Sequence, residues 1–294
     1  MREFSFVTVD VFTDQRFGGN PLAVFPDARG LSDAEMQWLA TEFNLSETTF
    51  VLPPADPAHT ARVRIFNTTH EMPFAGHPNV GTGYVLAQQG RDKDGVLLFE
   101  EIAGLVEVKI ERAGATITGA TIAAPKPLSL GAKLPAELIA RCAGLAASDV
   151  ITAAHPPLVA TVGNPFVIAE ISAAALARAV PDLAAFRKAV GETPALEGRL
   201  AIYLYTRDGT KIRARMFAPL AGTVEDPATG SAATPLAALL LSLGKEQSAT
   251  YDIVQGVEMR RPSLLRAAAR RTADGIRATV GGGCVPVLSG KATV

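Results

Sequence analysis

Apolar and polar residues change rhythm along this chain in a way that separates strands from helices. Phe4 to Phe12 alternates residue by residue, the pattern of a strand with one buried face. Ser32-Asp33-Ala34-Glu35 then forms a capping-box signature, followed by Met36, Leu39, Ala40 and Phe43 at i, i+3, i+4 and i+7. One face of that predicted helix packs, the other is wet, and the helix is expected to end near Asn44. Phe50-Val51-Leu52 and Ala61 to Phe66 read as strands, while Val80 to Gln88 and Thr229 to Leu243 read as helices that each come after a proline loop. Ala232 to Leu241 is apolar nearly all round, which places its helix inside a sheet. Pro125 to Pro135, with Pro127 and Gly131, is the linker candidate, and the helical Pro135 to Gly144 opens the second half of the chain.

The pattern is written twice. Gly19-Asn20-Pro21-Leu22-Ala23-Val24 recurs as Gly163-Asn164-Pro165-Phe166-Val167-Ile168, 144 residues later. Arg62-Val63-Arg64-Ile65-Phe66 recurs as Arg213-Ala214-Arg215-Met216-Phe217 at an offset of 151, and His77-Pro78-Asn79-Val80-Gly81-Thr82 as Asp226-Pro227-Ala228-Thr229-Gly230-Ser231 at an offset of 149. Three matches in one order, at offsets near half of 294 residues, predict a duplicated architecture with the His77-Pro78 and Asp226-Pro227 loops facing each other across an active site. The expected halves are 1–125, with 279–294 as a candidate completion, and 126–278.

Composition narrows the function. With 48% apolar residues the chain can bury a real core in each half, and a net charge of −1 offers no bulk field for nucleic acid or an anionic membrane. Small molecules are the expected partners. The N-terminus, Met1-Arg2-Glu3-Phe4-Ser5-Phe6-Val7, lacks the basic start and apolar stretch of a secretory signal. The apolar helical segment Leu236 to Leu243 falls far short of the roughly 20 residues that span a bilayer. Cys142 and Cys284 form no C-x-x-C pair and read as buried thiols of a cytoplasmic protein. The arginines between Arg260 and Arg271 have no interleaved aromatics and read as a solvated face.

Each repeated loop sets a titratable residue, His77 or Asp226, just before a proline at a helix start, where unpaired N–H groups and the helix dipole suit a carboxylate or developing negative charge. Taken alone, His77 could be a cap or core histidine, and Asp226 an ordinary N-cap. Their equivalence in the repeat raises both as catalytic candidates, with Gly76, Asn79, Gly230 and Ser231 as substrate-binding candidates beside them. Glu47 stands between an amphipathic helix and an apolar strand, where partial burial would tune it for acid–base work; a solvated loop carboxylate is the alternative. Glu197, at an offset of 150, reads as a surface residue. His59, His70, His77 and His155 form no metal-ligating pair, and no glycine-rich phosphate motif opens a helix, so neither metal nor cofactor is expected. Gly281-Gly282-Gly283 has no helix after it.

These residues resemble a known family, the PhzF-like (phenazine-biosynthesis-like) proteins. Asp10-Val11-Phe12-Thr13 with Phe17-Gly18-Gly19-Asn20-Pro21 looks like the family's opening, and Asn44-Leu45-Ser46-Glu47-Thr48-Thr49-Phe50-Val51 like its catalytic-glutamate segment. Pro73-Phe74-Ala75-Gly76-His77-Pro78 and Val224-Glu225-Asp226-Pro227-Ala228-Thr229-Gly230-Ser231-Ala232 look like its active-site loops. Gln255-Gly256-Val257-Glu258-Met259, together with Arg261-Pro262-Ser263, resembles its C-terminal signature. The resemblance implies an α+β, diaminopimelate epimerase-like fold of two pseudo-symmetric domains, each a curled sheet around a central helix, and a homodimer that needs no cofactor. It also implies Glu47 as general base and acid in an isomerisation, assisted by His77, Asp226 and Ser231. Asn79 stands where a small hydroxyl residue often comes after His-Pro, and Arg260 where glycine is common, two departures that can reshape the pocket, so the resemblance does not fix the substrate.

The expected function is a cofactor-independent isomerase that moves a proton between carbons of a small carboxylic acid. An amino-acid epimerase is the enzymatic alternative, disfavoured because the repeated loops carry no cysteine pair. A non-catalytic carboxylate-binding protein is the alternative of another class, distinguished by binding without isotope exchange.

Overall fold

In the computed structural model, which describes residues 1–294, the Ser32 hydroxyl accepts from the Glu35 N–H and the Glu35 carboxylate accepts from the Ser32 N–H at 2.7 Å. The capping box thus forms, and α1 (Asp33–Phe43) closes at Asn44 in the left-handed conformation. Its inner face, Met36, Leu39 and Ala40, packs with Phe25, Phe50 and Phe66 in one apolar cluster. Phe25 and Phe50 stack with centroids 5.0 Å apart, and Phe50 meets Phe66 edge-on.

The chain folds as two units, Met1–Ala123 with Val280–Val294, and Ala124–Thr279. The first contains β1 (Glu3–Val11), β2 (Asn20–Phe25), α1, β3 (Glu47–Leu52), β4 (Ala61–Phe66), β5 (Glu71–Met72), α2 (Gly76–Gln88), β6 (Val96–Glu101), β7 (Gly104–Ala113) and β8 (Thr116–Ala123). Pairing runs β1–β2 antiparallel, β2–β3 parallel, β3–β4 antiparallel, β4–β6 parallel, then β6–β7 and β7–β8 antiparallel. The sheet wraps α2, which is buried continuously from Gly76 to Ala87 and packs on β1, β2, β3, β7 and β8.

The second unit has β9 (Ser129–Lys133), α3 (Ala136–Cys142), β10 (Val150–Ile151), β11 (Leu158–Thr161), β12 (Pro165–Ile171), α4 (Ala173–Arg178), α5 (Leu183–Glu192), β13 (Ile202–Asp208), β14 (Lys211–Ala218), β15 (Thr223–Asp226), α6 (Gly230–Leu243), β16 (Ser248–Gln255) and β17 (Ser263–Thr272). Its pairing repeats the first: β11–β12 antiparallel, β12–β13 parallel, β13–β14 antiparallel, β14–β16 parallel, β16–β17 antiparallel. The apolar helix α6 takes the place of α2, with Ala232 to Leu241 buried as their composition requires. No helix is long and apolar enough to cross a membrane.

Two segments differ from the sequence reading, the start of α2 and the linker candidate, and the glycine run 281–283 gains a place in the fold. Helix α2 begins at Gly76 rather than Val80, because the N–H groups of a first turn have no helical acceptor and Pro78 loses nothing there. The Pro125 to Pro135 stretch is not a bare linker, since β9 lies inside it and pairs with β11. The glycine run 281–283 lies inside a long strand, β18 (Gly275–Thr293), whose last part pairs with β1 from Val11↔Cys284 to Glu3↔Thr293. A side chain on Gly281 would sit 1.9 Å from Thr121 Oγ1, and one on Gly119 would sit 2.0 Å from the Gly282 carbonyl oxygen, so close backbone approach demands glycine.

Candidate active site

In the first unit, strand register and helix start bring two candidate residues together. Glu47 opens β3 opposite Leu22 of β2, and His77 is the second residue of α2. Glu47 Oε2 and His77 Nε2 lie 3.4 Å apart, with side-chain exposures of 15% and 6%. Burial pushes the His77 imidazole down to about 3, against an opposing hydrogen bond to the Pro21 backbone. His77 is therefore neutral at ordinary pH, and the contact with Glu47 is not an ion pair. Nε2 has no hydrogen-bond partner, which leaves Nδ1 as the donor to the Pro21 carbonyl. That bond fixes the tautomer and turns the Nε2 lone pair toward Glu47.

Gly76 and His77 are the first two residues of α2, and the N-cap, Ala75, makes no side-chain cap bond. The first-turn N–H groups therefore have no acceptor in the helix and form a local anion-attracting end. Asn79 is fully buried, and its Nδ2 donates to the Ala75 carbonyl at 3.0 Å. Thr49 and Thr82 hydroxyls meet at 2.8 Å and join β3 to α2 below His77, so the Glu47 strand and the His77 helix are pinned to one another.

In the second unit, Asp226 ends β15, buried, and accepts from the Thr229 hydroxyl at 2.5 Å. Asp226 is not the N-cap of α6. Thr229 occupies that position and makes no side-chain cap bond, leaving the Gly230 and Ser231 N–H groups at an uncapped helix start. The loop from Asp226 to Thr229 is held by residues that sequence reasoning did not single out as site residues. Gln255 Nε2 donates to the Asp226 carbonyl at 2.8 Å and to Thr229 Oγ1 at 2.9 Å, while its Oε1 accepts from the Thr229 N–H and the Tyr203 hydroxyl. Burial raises the Tyr203 phenol, so it remains a donor. Ser263 Oγ donates to the Pro227 carbonyl at 2.9 Å. Gln255 and Ser263 had one signal in the sequence, their place in the C-terminal signature; Tyr203 had none.

The repeat also assigns a counterpart to Glu47. Thr48 pairs with Phe66 in the first unit and Ile202 with Phe217 in the second, and Phe66 and Phe217 close the repeated Arg-x-Arg-x-Phe segments. The residue before Ile202, equivalent to Glu47, is Ala201. Glu197, at the nearer sequence offset, is exposed on a left-handed turn. The duplicated scaffold carries the carboxyl on one side only.

Comparisons with known proteins place these features. The sequence profile of the PhzC-PhzF family, described as phenazine biosynthesis-like protein, matches residues 9–290. The chain is 37% identical to an uncharacterized isomerase of Mesorhizobium japonicum over 99% of both sequences. It is also 37% identical to trans-2,3-dihydro-3-hydroxyanthranilate isomerase of Pseudomonas aeruginosa over 98% of both. Among solved structures, a phenazine biosynthesis protein of the PhzF family from Bacillus anthracis superimposes with a TM-score of 0.87 at 23% identity, covering 100% of each chain.

Proposed function

Because the chain belongs to the phenazine biosynthesis-like (PhzF) family of isomerases and has its diaminopimelate epimerase-like fold, we propose that Glu47 moves a proton between two carbons of a small unsaturated carboxylic acid, without a cofactor. The Glu47 carboxylate takes a proton from carbon; the C–H pair becomes a new π bond as the old π bond shifts. The same carboxyl then returns the proton at the far end of the shifted system, so no electrons leave the substrate and no second base is needed. Neutral His77 serves this cycle because its Nε2 lone pair accepts a hydrogen bond from Glu47 once Glu47 holds the proton. The uncapped start of α2, at Gly76, supplies N–H donors for the substrate carboxylate, and in the second unit Gly230 and Ser231 are the residues proposed for substrate binding and Asp226 for assisting proton handling. Asn79 supports the α2 side of this site from behind, through its bond to the Ala75 carbonyl.

The observation that carries this reading is the pairing of Glu47 with a tautomer-fixed His77 in one unit, against Ala201 in the other. An epimerase that inverts a centre with two equivalent bases needs two proton carriers, and the repeat supplies a carboxyl at this strand position in one unit and a methyl group in the other. A single carboxyl instead delivers the proton to the face from which it took it.

The relative from Pseudomonas aeruginosa makes trans-2,3-dihydro-3-hydroxyanthranilate the first substrate to try. Incubated in deuterated water, the wild-type protein is expected to incorporate deuterium at carbon, read by mass spectrometry and NMR. Glu47→Gln should abolish incorporation with an unchanged circular dichroism spectrum. Undiminished exchange in that variant removes Glu47 from the reaction, and tight binding without exchange by the wild type turns the site into a carboxylate receptor. Family membership also supports a cytoplasmic homodimer, for which sedimentation at about 61 kDa, twice the 30.7 kDa chain, is the check.

A further inference from the structure

The first turn of α2 is approached from two directions, and only the His77 side enters the proposed reaction. His77 and Asn79 are two residues apart on a helix, so their side chains leave it on roughly opposite faces. Asn79 Nδ2 is used by the Ala75 carbonyl, and its buried Oδ1 has no partner. Glu101, the last residue of β6, brings a carboxyl to that side. Both its oxygens are buried without a hydrogen-bond partner, and the Asn79 amide is the side-chain dipole that acts on it. The turn after β6 is tied to the same segment, because the Ala103 N–H donates to the Pro73 carbonyl at 3.0 Å.

Three orphaned oxygens are therefore gathered beside one helix start, a costly arrangement while all of them are acceptors. Protonation of Glu101 turns one of them into a donor that Asn79 Oδ1 can accept. No neighbouring charge opposes that protonation. Arg62 and Arg64 of β4, Glu71 of β5 and Glu100 of β6 line the same groove as Glu101. Arg64 is bound to Asp33 and Glu71, and Arg62 lies across the sheet from Glu100. Glu100 accepts from the Ala55 and Asp56 N–H groups and from His59, and His77 is neutral. Burial is what raises the Glu101 carboxyl, up to about 8, with the Asn79 amide as the opposing effect.

We propose that Glu101 is a positioning residue: its carboxyl, kept in the acid form, braces the first turn of α2 by donating to Asn79 Oδ1, and its ionisation loosens Pro73–Asn79, the segment that presents His77. The value of this brace for turnover rests on the part proposed for His77 in the reaction; the brace itself does not.

The braced segment holds the Glu101 proton up to about pH 8, while a segment opened to water releases it near the ordinary 4.5. Between those values the open state binds fewer protons. The braced state is fully favoured below the ordinary value, loses stability as pH rises through the window, and levels off above it.

Hydrogen–deuterium exchange of the amides in residues 73–79, corrected for intrinsic rates, reads this directly. In the wild type, protection should fall about tenfold per pH unit from about pH 5 to 8. In Glu101→Gln, whose amide donates to Asn79 and has no proton to lose, protection should be flat. Protection that ignores pH in the wild type, or that falls identically in the variant, overturns the proposal. Should the variant not fold, carboxyl carbon NMR of the wild type decides: one glutamate titrating near pH 8 is expected, and all glutamates titrating below about pH 6 overturns it. Neither measurement uses a substrate, so its failure leaves the Glu47 assignment intact, and the failure of that assignment leaves the brace intact.

Discussion

His77 shows at the scale of one residue how burial becomes a measurable property. Its imidazole is held to about 3 in the fold and returns to about 6.5 in the unfolded chain, so the native state binds fewer protons in between. The stability this contributes is fully present above about 6.5 and is lost as pH falls toward 3. Thermal melts of the wild type should therefore show a fall in Tm across this acid range, and the fall should be smaller in His77→Gln. A nitrogen NMR spectrum that finds imidazolium at pH 6 would contradict the assignment. Glu47 and His77 were legible in the sequence as motif positions, because each sits at a predictable element boundary. Their 3.4 Å approach was not, since it depends on β2–β3 register and on a helix starting four residues earlier than the proline suggested. Glu101 gave no signal at all: a glutamate ending a strand reads as solvated, and only the packed structure shows its oxygens covered.

Loops and helix starts set the next scale. Gln255 holds the Asp226–Thr229 loop through an amide that serves the Asp226 carbonyl, the Thr229 N–H and hydroxyl, and the Tyr203 hydroxyl. Gln255→Leu keeps similar volume and takes this partner from the Asp226 carbonyl, the Thr229 N–H and the Tyr203 hydroxyl, so it is expected to cost about 2 to 4 kcal/mol in denaturant unfolding and to lower kcat with Asp226 still present. Gly256 comes next in a left-handed conformation at φ +77°, and a methyl there would lie 2.4 Å from the Arg261 carbonyl oxygen and 2.5 Å from that of Pro227. Gly256→Ala should cost at least about 2 kcal/mol, more than the backbone preference alone, and an unshifted midpoint would show that the 255–263 segment can relax. Elements with strong local codes were legible in the sequence: the capping box of α1 and the all-apolar α6. Strand β9 was not, because its proline-rich flanks match a linker, and a short strand is stabilised by its partner rather than by its own residues.

Across the whole molecule, duplication accounts for the scaffold and substitution for its use. Both units repeat one order of parallel and antiparallel pairings around a buried helix, while the position of Glu47 is taken by Ala201 and that of His77 by Asp226 in the second unit. The repeat was visible in three short segments, which start β2 and β12, run along β4 and β14 and lie at the starts of α2 and α6; the strands between them differ, as packing tolerates apolar exchange. Residues 280–294 return to the first unit, where β18 covers one edge of β1. A chain cut after Thr279 should therefore keep residues 124–279 resistant to protease while β1, its edge exposed, becomes cleavable and prone to association.

That returning strand also sets a timetable. On the ribosome the second unit is complete in a continuous stretch, but the first, although made earlier, cannot close until its final strand emerges on the order of ten seconds or more later. The pairing of Glu3 with Thr293 is nearly the longest loop the chain could close, so it forms late and slowly. Until then the half that carries Glu47 and His77 waits unfinished beside a finished neighbour. A newly made molecule thus acquires its chemistry last, and its dependence on chaperones during synthesis should be concentrated in that first half.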